Sequence, residues 1–464
     1  MANMGTTFRN LDLAESTFWL LDRASSMNFA VFADGKGTLQ IEAVKEALLW
    51  LQSKHPMLQV SIVHEPQEGS LSFTSQEKAV PIPFREISAK DARESFSDSV
   101  TQAIMQPFEN GESPLMRCGL IRTANQFRLF LVFHHSIADG RSGLKLLDLL
   151  VQKLASSNGS EPPDTNPKAF PAAVHERLPA NNTPPVMESN PASGVSFFEK
   201  KKSPPAASLL EIQLEPELMA SLRAAGKSNG ATLHGVLGAC LLQSLANFEQ
   251  RKSSTESGVG LSEDAAASAD SETKRMALAS PADLRTQMAS DGSAADELAL
   301  YISLITTTAD VPSLESWKRA CEASDFQPFW TLASFISKDV HNQIRTAALD
   351  FYRMLPEPGR YLTKPDPGKA YGALIQRLPQ ALAFSNAGIV GEFAAPADKS
   401  WSIENVAFTV HPSISQIIFV AATTYRDRLN LTLHIDANRW PESGLESYRQ
   451  ELVSLLDELR THLQ

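Results

Sequence analysis

The sequence predicts a two-lobed fold of mixed helices and strands, α/β or α+β in class. Three observations carry this. Helical and strand periodicities are mixed in both halves, a proline-rich stretch separates the halves, and 43% hydrophobic content over 464 residues supplies two cores. The implied boundaries are 1–155 for an N-terminal lobe, 156–205 for a linker or crossover, and 206–464 for a C-terminal lobe.

Ile41–Ser53 reads as a helix, because Val44, Ala47, Leu48 and Leu51 fall on one face. Pro56 ends it by disfavouring helical geometry at His55. Met57–His64 then alternates as a strand. Gln126–Phe133 is a second strand, with Phe127, Leu129, Leu131 and Phe133 on one face. Phe130 and Val132 on the other face predict burial on both sides. Arg141–Leu154 resumes a helical period through Leu144, Leu147, Leu150, Val151 and Leu154.

Ten prolines punctuate 156–205, removing backbone donors and fixing φ, so this segment is expected outside the core. Leu209–Leu214 alternates like a strand. Thr232–Gln250 is a strong amphipathic helix with Thr232 placed to cap it. Residues 253–273 are rich in Ser, Ala, Glu and Asp, which predicts a mobile loop. Met276–Arg285, Gln416–Thr424 and Leu429–Ile435 read as extended, and Ser443–Leu463 as a closing helix.

Net charge is −11, which argues against nucleic acid as the main partner. Cys118, Cys240 and Cys321 lie far apart, without metal-ligand or redox spacing, and a reducing compartment is the simple reading. The first residues lack a basic start before an apolar core, and no apolar stretch is long enough to cross a bilayer. A cytoplasmic protein without a transmembrane segment is the expectation.

The most informative stretch is His134-His135-Ser136-Ile137-Ala138-Asp139-Gly140, at the end of the Gln126–Phe133 strand. Chance supplies two histidines, three spacers and Asp-Gly in on the order of one chain of this length in a thousand. Histidine is the side chain best suited to take and return a proton near neutral pH. In strand geometry His134 and His135 point to opposite sides, so only one of them faces a given space. Gly140 suits a backbone turn or close approach, and a helix start there would favour developing negative charge. His55, His175, His234, His341, His411 and His434 show no metal-like clustering, and no metal site is predicted. Gly140-Arg141-Ser142-Gly143 fails the nucleophile-elbow pattern, and Ser136 is a weak nucleophile candidate. Lys200-Lys201-Lys202 reads as a solvated basic run rather than a phosphate site.

HHSIADG resembles the HHxxxDG motif of the chloramphenicol-acetyltransferase-like acyltransferases, which include condensation domains, alcohol acetyltransferases and mycobacterial polyketide-associated acyltransferases. Four further segments keep that superfamily's order. Lys54-His55-Pro56-Met57-Leu58 is similar to its segment after the first long helix, and Gly230-Ala231-Thr232-Leu233-His234 to a helix start. Pro281-Ala282-Asp283-Leu284-Arg285 is similar to a strand end, and Ser385-Asn386-Ala387-Gly388 to a segment beside the tunnel. The plant-type DFGWG motif has no counterpart at Asn386–Val390.

The resemblance implies a pseudo-dimer of two similar lobes with a tunnel between them, where donor and acceptor meet at the histidine. It implies transfer of an acyl group from a thioester to an alcohol, or less favourably an amine, with His135 as general base. Such a base works best with a pKa near the working pH. Asp139 becomes a structural anchor paired with Arg285, and His134 a supporting residue. Asn386 and, weakly, Ser142 are candidate oxyanion donors. No permanently bound cofactor is implied. The co-substrate is acyl-CoA or a phosphopantetheine thioester, an acyl carrier protein is a candidate partner, and a monomer is expected. A free-standing condensation enzyme making an amide is the first rival. A non-catalytic relative that binds an acyl or hydrophobic ligand is the second.

Overall fold

The computed structural model describes residues 6–76, 78–88, 92–156, 166–177, 194–195, 197–198, 206–256, 272–288, 294, 297–346, 348 and 350–463. Most of the predicted 156–205 crossover, the Lys200–Lys202 run and residues 257–271 of the predicted 253–273 loop lie outside the described residues. The fold is α+β, with three sheets among these residues.

The first sheet holds β2 (Asn28–Gly37), β5 (Phe84–Ser88), β6 (Met116–Arg122), β7 (Gln126–His134) and β12 (Trp401–Val410), in the order β12-β2-β7-β6-β5. β7 is central, so eight of its nine residues are buried and both faces are apolar. The second sheet holds β8 (Ala207–Leu214), β9 (Thr273–Asp283), β10 (Ile302–Pro312), β11 (Ala381–Ile389), β13 (Gln416–Tyr425) and β14 (Arg428–Asp436), ordered β10-β9-β11-β13-β14-β8. A small third sheet pairs β1 (Thr7–Asn10), β4 (Ser70–Ser75) and β3 (Val60–Glu65).

β12 comes from the last quarter of the chain yet pairs with β2, Thr409 opposite Ala30. The span 206–464 therefore does not build one lobe by itself. Between the two large sheets, the Thr423 and Thr432 hydroxyls donate to the Val406 and Phe408 carbonyls of β12, each at 2.7 Å.

Helix α1 (Leu13–Ala24) opens with a capping box in which the Asp12 side chain accepts from the Glu15 amide. Helix α2 (Ile41–Lys54) buries Val44, Ala47, Leu48 and Leu51, and stops as His55 turns extended before Pro56. The strand expected from Met57 starts only at Val60. Pro56–Gln59 form a 3-10 turn that buries the adjacent Met57 and Leu58 and leads straight into the strand. Helix α3 (Ala92–Met105) packs on β8 and β7.

Helix α4 (Gly140–Ala155) lays Leu144, Leu147, Leu150 and Val151 against β2 and β7. Its close approach rests on Gly143, where a Cβ would lie 2.8 Å from both Phe29 Cε2 and Val31 Cγ1. In the second half, helix Leu233–Glu256 carries helical structure through Ser253–Glu256, where composition predicts loop. Thr232 Oγ1 accepts from the Gly235 amide at 3.2 Å, capping that helix. Helix Gly444–His462 closes the chain against it. Cys118 and Cys240 are buried free thiols in the two cores. No helix among the described residues is long and apolar enough to cross a membrane.

Candidate active site

The motif occupies the turn between β7 and α4. β7 ends at His134, so His135 is the first residue beyond the sheet, and Asp139 caps α4 with its carboxylate accepting from the Ser142 amide at 2.8 Å. The two histidines are held differently. His134 Nδ1 accepts from the Ser136 amide at 3.1 Å, and its Nε2 lies 3.6 Å from the buried Asp22 carboxylate. Burial pushes the Asp22 carboxyl up, but His134 and the Met27 amide outweigh it and hold it below the usual carboxylate range.

His135 Nδ1 lies 2.8 Å from the Ala138 carbonyl oxygen. A carbonyl only accepts, so Nδ1 carries the hydrogen and Nε2 keeps its lone pair. The imidazole sits between Phe18 and Phe29, with ring centres 4.6 and 4.8 Å away. Burial against these rings lowers its pKa to about 4, despite the opposing pull of the Ala138 carbonyl and Asp139. The ring is thus neutral at neutral pH, and its pKa lies below the near-neutral value expected of an optimally matched base. Ser136 is spent elsewhere, donating to the Glu15 carbonyl at 2.8 Å.

Asp139 is saturated. Arg285 reaches it at 2.7 and 3.3 Å, and the Ser142 and Tyr301 amides donate at 2.8 and 3.0 Å. Burial raises its pKa, yet these four donors hold it below the usual range. Arg285 also contacts Asp283 at 3.0 Å and donates to the Ala299 carbonyl at 3.1 Å. This network ties the start of α4, in the first half of the chain, to the segment between β9 and β10.

A cavity of about 660 Å³ opens beside the turn, and His135, Asp139, Gly140, Arg285 and Asn386 all lie in its lining. Ser142 does not. Its hydroxyl accepts from Arg285 at 2.7 Å and donates to the Ala299 carbonyl at 3.0 Å, so it belongs to the anchor network and not to an oxyanion site. Asn386 lies on β11, its Oδ1 accepting from the Gly388 amide at 2.9 Å, which leaves the Nδ2 donors uncommitted among the described residues. Gly140 begins α4, as expected, but not for close approach. It has no positive φ, and a Cβ there would meet only the Phe408 ring at an ordinary 3.4 Å. The close approach predicted for it belongs to Gly143.

Several partners carry no signal in the motif. Phe18, Phe29 and Asp22 lie over a hundred positions before it, and only the folded chain brings them to the two histidines. His411 and His434 likewise meet, Nδ1 to Nε2 at 3.4 Å, although nothing in their spacing shows it. His234 stacks on Phe384 and contacts the Ser280 hydroxyl at 3.0 Å.

Comparison with known proteins agrees with the superfamily resemblance. Residues 18–169, which include the whole turn, match the model of the condensation domain family. Tyrocidine synthase 3 of Brevibacillus parabrevis is 30% identical over 126 residues, 27% of this chain and 2% of that protein. The chain thus spans a small fraction of the curated relative it matches. Among solved structures, the trichothecene 15-O-acetyltransferase of Fusarium sporotrichioides superposes with a TM-score of 0.70 at 14% identity, over 97% of this chain and 94% of that one. Polyketide synthase associated protein 5 of Mycobacterium tuberculosis gives 0.62 at 16% identity, over 98% and 100%. At these identities the likeness speaks to the fold.

Proposed function

We propose that this chain, which carries a condensation-domain segment in a fold shared with acetyltransferases, moves an acyl group from a thioester to an alcohol. The observation that carries the reading is the state of His135: a neutral ring, pinned through Nδ1, in the lining of the cavity. The acceptor oxygen would attack the thioester carbonyl while its proton passes to Nε2. As the tetrahedral intermediate collapses, the carbon–sulfur bond breaks and the same proton goes to the leaving thiolate. Asn386 Nδ2 is the candidate donor to the oxyanion. Asp139 and Arg285 hold the turn without touching the reacting atoms. The donor is acyl-CoA or a phosphopantetheine thioester, bound as substrate.

Thiol release from a panel of acyl-CoAs, with and without pooled alcohols and amines, tests this reading. Acceptor-dependent release by the wild type that disappears in His135→Ala supports transfer at this histidine. Release that survives the substitution removes the base assignment.

A second reading has its own support in the match to the condensation domain family. Here the donor is an acyl group on a carrier protein and the product is an amide. A preference for amine over alcohol acceptors, seen only with loaded carrier protein, would favour it.

A further inference from the structure

We propose that one part of the cavity is a binding site for a hydrocarbon chain, running from the face of His135 along Phe18, Leu21, Met27, Ile302, Phe351 and Leu355. These residues all line the cavity, and they also pack on one another as a single apolar cluster. The cluster starts at the reacting centre, because the Phe18 ring lies against His135. Its own hydroxyl is already spent. The Tyr352 hydroxyl donates to the Ile302 carbonyl at 2.9 Å, and the neighbouring Thr17 hydroxyl accepts from Tyr371 at 3.5 Å. Such a surface offers water no bonding partners, so hydrocarbon gains by displacing what fills it. A charged or polar group placed there would lose hydration without compensation.

One other part of the lining, the face of α4, is unlike it. Arg141, Lys145, Asp148 and Gln152 recur every three or four residues along one face of α4, with Asp283 and Glu392 also in the lining. One cavity is therefore lined by a charged patch and by an apolar recess that adjoins the imidazole. Whether the chain belongs to the acyl donor or to the alcohol depends on the transfer reading; its binding does not.

The test is equilibrium titration of the intact protein with two homologous series that cannot react alone: S-alkyl-CoA thioethers and straight-chain primary alcohols. Affinity is expected to rise about fourfold for each added methylene until the recess is full. A rise confined to the thioethers assigns the recess to the donor, and one confined to the alcohols assigns it to the acceptor. Leu355→Trp, checked for an unchanged melting profile, is expected to move the length optimum to shorter chains. Affinity independent of length in both series overturns the proposal, as does a wild-type length profile in Leu355→Trp. Neither series turns over, so a protein that binds chains yet releases no thiol from acyl-CoA or from acyl-loaded carrier protein would sink the transferase reading and leave the recess standing.

Discussion

The turn that carries His135 and the cluster around Arg128 use the same device to join the two halves of the chain. Arg285 reaches from the segment after β9 to Asp139 at the head of α4. Arg128, on β7, donates to both Asp34 oxygens on β2 at 2.6 and 2.8 Å, and to both Glu211 oxygens on β8 at 2.6 and 2.8 Å. Both guanidiniums are buried and both engage carboxylates across the chain. At Arg128 every guanidinium nitrogen donates to a carboxylate, and neither it nor its partners lie in the cavity lining. At the turn, the charges are also consumed, but His135 Nε2, on a residue of the cavity lining, keeps a lone pair with no hydrogen bond among the described residues. The same clamp is scaffold in one place and site in the other, and the difference is a single uncommitted lone pair.

The comparison is sharpest at that lone pair. His135→Ala is expected to cut acceptor-dependent thiol release by about 10²–10⁴-fold with the melting transition preserved, as loss of a general base does. Arg128→Ala should do the reverse. It leaves two carboxylates unpaired and costs about 3–5 kcal/mol in chemical denaturation, while the rate per folded molecule stays near wild type. A large rate loss in that variant would erase the distinction between the two regions. Arg285→Ala and Asp139→Ala should lower both quantities, each with a stability loss of about 3–5 kcal/mol, and unchanged melting in both would remove the anchor role. Below these in size comes the glycine pair. Gly143→Val should cost about 1–3 kcal/mol by overpacking Phe29 and Val31, whereas Gly140→Ala should leave the midpoint close to wild type.

The pH dependence adds a further contrast. The folded pKa of His135, about 4, lies below its ordinary 6.5. The neutral base persists through neutrality, so its acid limb in the rate profile should centre near 4; a limb at 6.5 would count against burial as the controlling influence. Between those values the unfolded chain binds a proton that the fold does not, so stability rises with pH across that window. His234, also lowered to about 4, and His411, lowered to about 3 by burial, act in the same direction. The melting temperature should fall on acidification from 6.5 towards 4.

Local signals were readable in the sequence and distant ones were not. The periods of α2, β7 and α4 reflect one-sided or two-sided burial of neighbouring residues, and their observed bounds differ from those predicted by only a residue or two. The HHxxxDG spacing places a histidine just beyond a strand and an aspartate at a helix cap, both of which are local geometry. Met57–Gln59 misleads because its apolar residues run directly into the strand that starts at Val60, although the 3-10 turn buries the adjacent Met57 and Leu58 together. Ser142, and the close approach expected at Gly140, misled for a different cause. Their roles depend on what lies across from them, Phe408 for one and Arg285 with Ala299 for the other. The rings around His135 and the pairing of β12 with β2 are contacts between remote segments, to which no window of sequence is sensitive.

That last pairing bears on how the chain reaches its shape. During synthesis β2, β7 and β6 emerge early and can pair with one another, but the outer edge of β2 has no partner until Trp401–Val410 has been made. An unpaired edge of buried Phe29, Val31 and Phe32 is a template for wrong partners. Because most of the polypeptide must be made before the first sheet can close, the N-terminal half cannot be secured as a finished unit ahead of the rest. The rate of closure is set by a contact of very long sequence separation.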